Sequence, residues 1–368
     1  IGAGSAGCVL ASRLTERSMN NVLLLEAGED FPPGSEPEEP NNNFVATSSG
    51  AKRFTWPGLS AAFLPRSSNA PDERPRRRYN QGRPMGGGSS VNGMCANRGL
   101  PSDFEEWAAR GAKGWDWEGV LPYYKKMETD TDFDGPLHGK DGPIKLRRLF
   151  EDQWPGFTTA SIDAVAADGW NNLKDQNGAY EDGYFPIPMN NIDGKRISAS
   201  TAYLTNDVRA RPNFTLWALT TVECLLFDGT KVIGVRIKRD GKTWDIHARE
   251  VVISTGALHT PPLLMRSGIG PATELGALGI DVAVNRPGVG KHLMEHPGVN
   301  FGAYLKRESR LTPGLPTHMI AALRWSSGHE GVPPGDMYIV PTNRAAWHAI
   351  GDRMGIMQIW VNKSYATG

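Results

Sequence analysis

Hydrophobic and polar positions repeat with different periods along this chain, and the changes of period divide it. After a glycine-rich start, Val9, Leu10 and Leu14 fall on one face of a helix that begins near Ser5. Val22-Leu23-Leu24-Leu25 is a short unbroken apolar run ending at Glu26, which predicts a parallel strand covered on both faces. Residues 31–84 carry little periodicity and are rich in Pro, Asn, Ser and Arg, the pattern of long surface loops. Helical spacing returns at 102–108, 117–127 and 155–168. Between 214 and 254 the period falls to two. Segments 221–227, 231–238 and 242–247 read as strands, and the Asp228-Gly229 and Asp240-Gly241 dipeptides between them favour two-residue hairpins. This β-meander leads into Val251-Val252-Ile253-Ser254, expected as a buried strand, then a turn at Gly256 and a helix over 258–266. Further strands are expected at 336–340 and 355–362, and no internal repeat appears.

Glycine turn, helix, strand and acid, in that order, form the first half of a dinucleotide-binding unit. In Gly2-x-Gly4-x-x-Gly7, the first glycine makes the turn and the second admits a pyrophosphate to the backbone. The third lets the helix pack closely on the strand. The helix N-terminus offers unpaired N–H groups and a positive dipole to the phosphates. Glu26 lies 19 residues beyond Gly7, at the end of the next strand, placed to accept hydrogen bonds from an adenosine ribose and to repel a 2′-phosphate. These residues do not distinguish FAD from NAD.

Composition narrows the class. Glycine (43) and proline (27) occupy 70 of 368 positions, where ordinary usage of roughly 7% and 5% predicts about 44. The excess is too small and aperiodic for a collagen-like chain, and 39% hydrophobic residues with 11 Trp argue against disorder. Forty basic and forty acidic residues cancel, so no global basic field exists to attract nucleic acid. The cluster Arg74, Arg76, Arg77, Arg78 follows Asp72 and Glu73 and reads as a solvated loop. Three separated cysteines, Cys8, Cys95 and Cys224, give neither a disulfide framework nor a metal pattern, so no metal site is expected and a reducing, cytoplasmic setting is the simpler one. Asn213 and Asn362 begin sequons of the kind that arise by chance in a chain this long. No apolar run reaches the roughly 18 residues of a membrane helix.

Two further segments carry chemistry. Gly82-Arg83-Pro84-Met85-Gly86-Gly87-Gly88-Ser89-Ser90-Val91-Asn92-Gly93-Met94-Cys95 has almost no side-chain volume over its centre. Such a segment is entropically expensive to order, which points to a flat or charged ligand lying against it. Ser254-Thr255-Gly256-Ala257-Leu258-His259-Thr260-Pro261-Pro262 and its continuation to Gly270 give another backbone approach to a cofactor, with proline near the helix's first turn. His259 reads as a cap or packing residue rather than a base.

These three segments, in this order, resemble the glucose–methanol–choline family of flavin oxidoreductases, and Pro287-Gly288-Val289-Gly290-Lys291-His292-Leu293-Met294-Glu295-His296-Pro297 resembles a further family element. The resemblance covers essentially the whole chain. Asn97–Pro101, Gly114–Tyr123, Asp175-Gln176-Asn177, Asp182–Pro186 and Trp360–Lys363 are most similar to the branch that oxidises furan and aryl alcohols, while Asn92–Cys95 is similar to the choline-oxidising branch.

The resemblance implies an α/β fold with α+β elements: a Rossmann-like FAD/NAD(P)-binding domain with the β-meander, and a substrate-binding domain on a mainly antiparallel sheet. The FAD-binding domain is expected over 1–150 and 214–300, and the substrate-binding domain over 151–213 and 301–368. It implies FAD, with Gly2, Gly4, Ser5, Ala6 and Gly7 at the pyrophosphate, Glu26 and Ala27 at the adenosine ribose, and a Val222 backbone contact to adenine. Met85, Gly86, Gly87, Ser90, Asn92, Gly93, Met94 and Cys95 are expected to border the flavin. Some members attach FAD through a histidine that corresponds to Val91 here, so noncovalent FAD is expected. The implied reaction takes hydride from a small alcohol to flavin N5 and passes electrons to O2 or another acceptor, with oligomeric state left open. The family's histidine base is not matched by His138, His247, His259, His292, His296, His318, His329 or His348. It is expected beyond Gly368, and the 368-residue chain by itself is expected to be an inactive fragment. A cyanohydrin-cleaving lyase with structural FAD and a noncatalytic dinucleotide-binding module are the alternatives.

Overall fold

A computed structural model of the chain describes residues 1–38, 51–62, 76–315, 317–345 and 350–362. The chain forms two compact units, each built from two separated segments: 1–92 with 198–290, and 93–197 with 291–368. The sequence reading placed these crossings at 150/151, 213/214 and 300/301. The first crossing comes much earlier because helices Pro101–Ala109 and Trp117–Met127 pack with the second segment set, a tertiary choice that helical spacing does not record.

In the first unit the helix Ser5–Leu14 follows the glycine turn, and strand Val22–Leu25 pairs in parallel with Phe214–Trp217, Val22 opposite Phe214 and Leu25 opposite Trp217. The short apolar run is therefore the parallel strand its composition predicts. The meander is Thr221–Asp228, Lys231–Arg239 and Lys242–His247, antiparallel throughout. The second hairpin turns at Asp240-Gly241 as the sequence signals, and the first turns one residue later than signalled, at Gly229-Thr230, because Asp228 pairs with Lys231. Asp240 (φ 51°) and Gly241 (φ 74°) both take the left-handed region, and at the other turn Gly229 does (φ 60°). These are the signs of the two mirror-image turns that match strand twist. Leu25, Val222, Leu225, Val235, Ile237 and Leu263 form the core between meander and helix Gly256–Arg266.

Two expectations in this region change. Residues 251–254 do not form a strand, and Val252 is 40% exposed. The segment's backbone bonds to Ile1, from Ile1 N–H to Val252 O (2.7 Å) and from Ser254 N–H to Ile1 O (2.8 Å), are too few for a ladder. Pro261 and Pro262 sit inside the helix rather than in its first turn. Of the basic cluster, Arg76–Arg78 forms an exposed strand beside Ser60–Ala62, and Asp72, Glu73 and Arg74 lie outside the described residues.

The second unit is organised on a five-stranded antiparallel sheet in the order Gly298–Tyr304, Met354–Val361, Met337–Thr342, Ala321–Trp325 and Gly183–Pro186. Its core includes Met94, Phe185, Ile187, Met189, Met319 and Val340. Among the described residues no helix is long and apolar enough to cross a membrane.

Candidate functional site

The glycine loop, the strand end and the 256–266 helix enclose a cavity of about 1100 Å³ within the first unit. Gly2 has φ +86°, where a side chain is strained, and a Cβ on Gly7 would stand 1.9 Å from the Gly2 carbonyl oxygen. The turn and the close helix approach therefore both require glycine. The first intrahelical bond runs from Cys8 N–H to Gly4 O (3.0 Å), so the N–H groups of Ser5, Ala6 and Gly7 precede the ladder. The triple-glycine segment closes on this loop, with Gly86 N–H donating to Ala3 O (2.7 Å) and a Cβ on Gly87 falling 2.9 Å from Gly4 Cα.

Glu26 stands at the cavity wall, 7% exposed. Oε2 accepts from Ala3 N–H and Oε1 from Gly28 N–H, both at 2.7 Å. Burial pushes its carboxyl above the usual range, and the N–H donors of Gly28, Ala3 and Ala27 only partly offset that push. Each oxygen keeps a lone pair for a further donor.

Of the residues singled out in the sequence, Gly2, Gly4, Ser5, Ala6, Glu26, Ala27, Gly87 and Val222 line this cavity. Gly7 is buried behind it. Met85, Gly86 and Ser90 support the loop from beneath: Met85 is 2% exposed and its carbonyl accepts from Ser90 Oγ (2.6 Å). Asn92 is exposed and ends the segment of the first unit. Gly93, Met94 and Cys95 belong to the second unit, where Met94 is fully buried with φ 62° and its carbonyl accepts from Asn190 N–H (3.0 Å). Burial pushes the Cys8 and Cys95 thiols up to about 12, so neither is a thiolate nucleophile near neutral pH. Sequence reasoning did not single out Trp56 or Arg83 as lining residues. Arg83 lay in a quoted motif, but Trp56 sits in the unpatterned 31–84 stretch and gave no signal.

The histidines are dispersed. His247, His292, His296 and His329 are exposed, and His348 lies outside the described residues. His318 is buried, and burial together with Arg344 lowers it to about 4. Among the described residues, His259 is the histidine that lines the cavity.

A second polar centre, in the other unit, was not foreseen. Glu128, Asp130 and His138 bring ligand-type atoms close enough for one cation. Cationic side chains already occupy that role. Arg98 Nη2 meets Glu128 Oε1 (2.5 Å), and Arg148 grips Asp130 with both terminal nitrogens (2.9 and 3.0 Å). Arg148 also reaches Asp175 (2.9 Å), which contacts His138 Nε2 (2.9 Å). The carboxylates of Asp130, Asp175 and Glu128 raise His138 to about 10. Three cations thus meet three buried carboxylates, and Arg148 also contacts Asp132 (3.4 Å).

The model of the GMC oxidoreductase family matches residues 1–298, which is most of the chain. The chain belongs to the GMC oxidoreductase family. This is the family expected from the three motifs. The chain is 42% identical over 379 residues to the 5-(hydroxymethyl)furfural oxidase of Methylovorus sp., covering all of this chain and 69% of that protein. It is 37% identical to the oxygen-dependent choline dehydrogenase of Staphylococcus xylosus, over 90% of this chain and 58% of that one. The crystal structure of pyridoxine 4-oxidase from Mesorbium loti superposes with a TM-score of 0.84 at 27% identity, covering all of this chain and 71% of that one. This GMC chain therefore spans about three fifths to seven tenths of the length of these relatives.

Proposed function

We propose that the cavity of the first unit holds FAD noncovalently and that this GMC chain supplies the site to an oxidoreductase acting on primary alcohols of the furan or aryl type. The observation that carries the reading is Glu26: a buried, under-compensated carboxylate whose two oxygens are already aimed by backbone N–H groups, beside a glycine loop at a helix N-terminus. The ribose hydroxyls of an ADP moiety supply the donors it lacks, and the helix terminus suits the pyrophosphate. The 42% identity to a 5-(hydroxymethyl)furfural oxidase, over all of this chain and 69% of that protein, supports the substrate class.

When bound, FAD supplies the hydride acceptor for alcohol oxidation, with dioxygen or another oxidant as the final acceptor. The chain's own contribution is binding and orientation. The loop at Gly2–Gly7 with the Gly87 approach would hold the pyrophosphate, and Glu26 would hold the ribose. His259 is lowered by burial and by Arg266 and packs on Trp56, so the proton acceptor for the alcohol is not assigned to it. Val91 offers no nucleophile for a covalent flavin link.

Titration of the purified chain with FAD, followed by flavin fluorescence, is expected to show saturable binding that Glu26→Ala weakens. Anaerobic addition of a furan or aryl alcohol to the full protein is expected to bleach the flavin absorption. Absence of FAD binding by the wild-type chain would overturn the reading.

A further inference from the structure

His259 has no role in the site as described so far, yet its surroundings are those of a binding residue. Helix Gly256–Arg266 lines the cavity through Gly256, His259, Thr260, Leu263 and Arg266, spacings of three and four that place one face along the wall. The near end of that face adjoins the glycine turn, since Ser254 Oγ donates to Gly2 O (2.8 Å). Its far end packs with Val222 in the meander core, through Leu263. His259 lies between these two ends.

Its ring is held there by a stack. The imidazole lies 4.2 Å from the Trp56 indole, tilted by 36°, and the Arg83 guanidinium lies over the indole at 5.2 Å. Arg83 is itself tied to the Ala27 carbonyl (3.2 Å), next to Glu26. Within this stack His259 Nε2 is buried and has no hydrogen-bond partner, and Arg83 Nε is in the same condition. Buried polar atoms are nearly always satisfied, and an exception in a native structure needs an explanation. A ligand supplies one.

We propose that His259 is a binding residue for the ADP half of the dinucleotide, positioned by the stack on Trp56 and Arg83 and hydrogen-bonded to the ligand through Nε2. The assignment rests on the dinucleotide reading of this cavity and adds a side chain from helix Gly256–Arg266 to those that recognise the ligand. Trp56 and Arg83 are positioning residues for that ring.

The test compares wild type, Glu26→Ala, His259→Phe and His259→Gln, with FAD, ADP and FMN as separate probes. Phenylalanine keeps the stack and removes the ring nitrogens, while glutamine restores a polar group of similar reach. His259→Phe is expected to weaken FAD and ADP by the same factor, about three- to tenfold for one hydrogen bond. FMN binding should be unchanged, and His259→Gln should recover part of the loss. The melting temperature of the ligand-free chain should match wild type, which separates lost recognition from lost folding. If wild type binds FAD, Glu26→Ala weakens it and both His259 variants bind as wild type, the His259 assignment falls alone. If wild type binds no FAD, the dinucleotide reading falls and takes this assignment with it.

Discussion

Glu26 and Asp130 are both buried carboxylates, 7% and 1% exposed, in different compact units, and they titrate in opposite directions. Burial pushes both upward. At Glu26 backbone N–H groups answer first and the more distant Arg83 charge adds to them, yet the carboxyl stays above its usual range. At Asp130 the His138 and Arg148 contacts overwhelm burial and hold the carboxyl well below it. The first environment leaves an acid short of compensation, as suits a group that receives a ligand. The second saturates its acids internally, as suits a structural network. Buried charge alone does not mark function; the unfilled part of its coordination does.

Removing one cation from the saturated network should produce the largest effect. Arg148 serves Asp130 and Asp175 together, so Arg148→Met leaves two buried carboxylates short and is expected to destabilise the second unit by about 3–5 kcal/mol, measured by urea unfolding. A loss below 1 kcal/mol would show that the network is dispensable. In the ligand site the equivalent weak point is backbone space. Gly7→Ala forces a Cβ against the Gly2 carbonyl and is expected to cost about 1–3 kcal/mol, together with FAD affinity.

Glu26→Gln sharpens the contrast, because it removes the charge and, with one oxygen replaced by NH2, keeps an acceptor for only one of the Ala3 and Gly28 N–H groups; it should damage binding. Charge-assisted hydrogen bonds of about 1.5–3 kcal/mol correspond to an affinity loss of about ten- to a hundredfold. The pH dependence carries a sign. Glu26 is protonated more readily than an ordinary glutamate in the free chain, and the ribose requires its ionised form. FAD affinity should therefore rise with pH through the acid range in which Glu26 ionises, then level off. Glu26→Gln should flatten that rise, and an unchanged profile would place the titration elsewhere.

A further effect, read through its pH dependence, is expected at His138. Its folded value of about 10 lies above the ordinary 6.5, so its stabilisation is complete below about 6.5 and is lost as pH climbs towards 10. Urea midpoints should decline across that window. His138→Asn should lower the midpoint at neutral pH and remove the slope.

How much was legible depended on sequence separation. Gly2, Gly4, Gly7 and Glu26 lie within one βαβ-type unit, and their spacing placed Gly2, Gly4 and Glu26 at one cavity with Gly7 buried behind it. The meander was readable for the same reason, since Gly229 and Asp240-Gly241 fix turns locally. The segment 251–254 misled because an apolar run reports burial preference and not the presence of a partner strand. Met94 and Cys95 directly follow a loop that lines the cavity, yet they belong to the other unit, because covalent continuity says nothing about which core a side chain joins.

The sequence by itself determined the family, the glycine turn, the acid at the strand end and the hairpins, all of which depend on conformational restrictions that act over a few residues. Tertiary structure alone decided that Trp56, Arg83 and His259 stack on one wall, and that Arg98, Glu128, Asp130, His138, Arg148 and Asp175 neutralise one another. Those groups come from segments tens to hundreds of residues apart. Their energies arise from desolvation and from geometry between side chains, neither of which has a period along the chain.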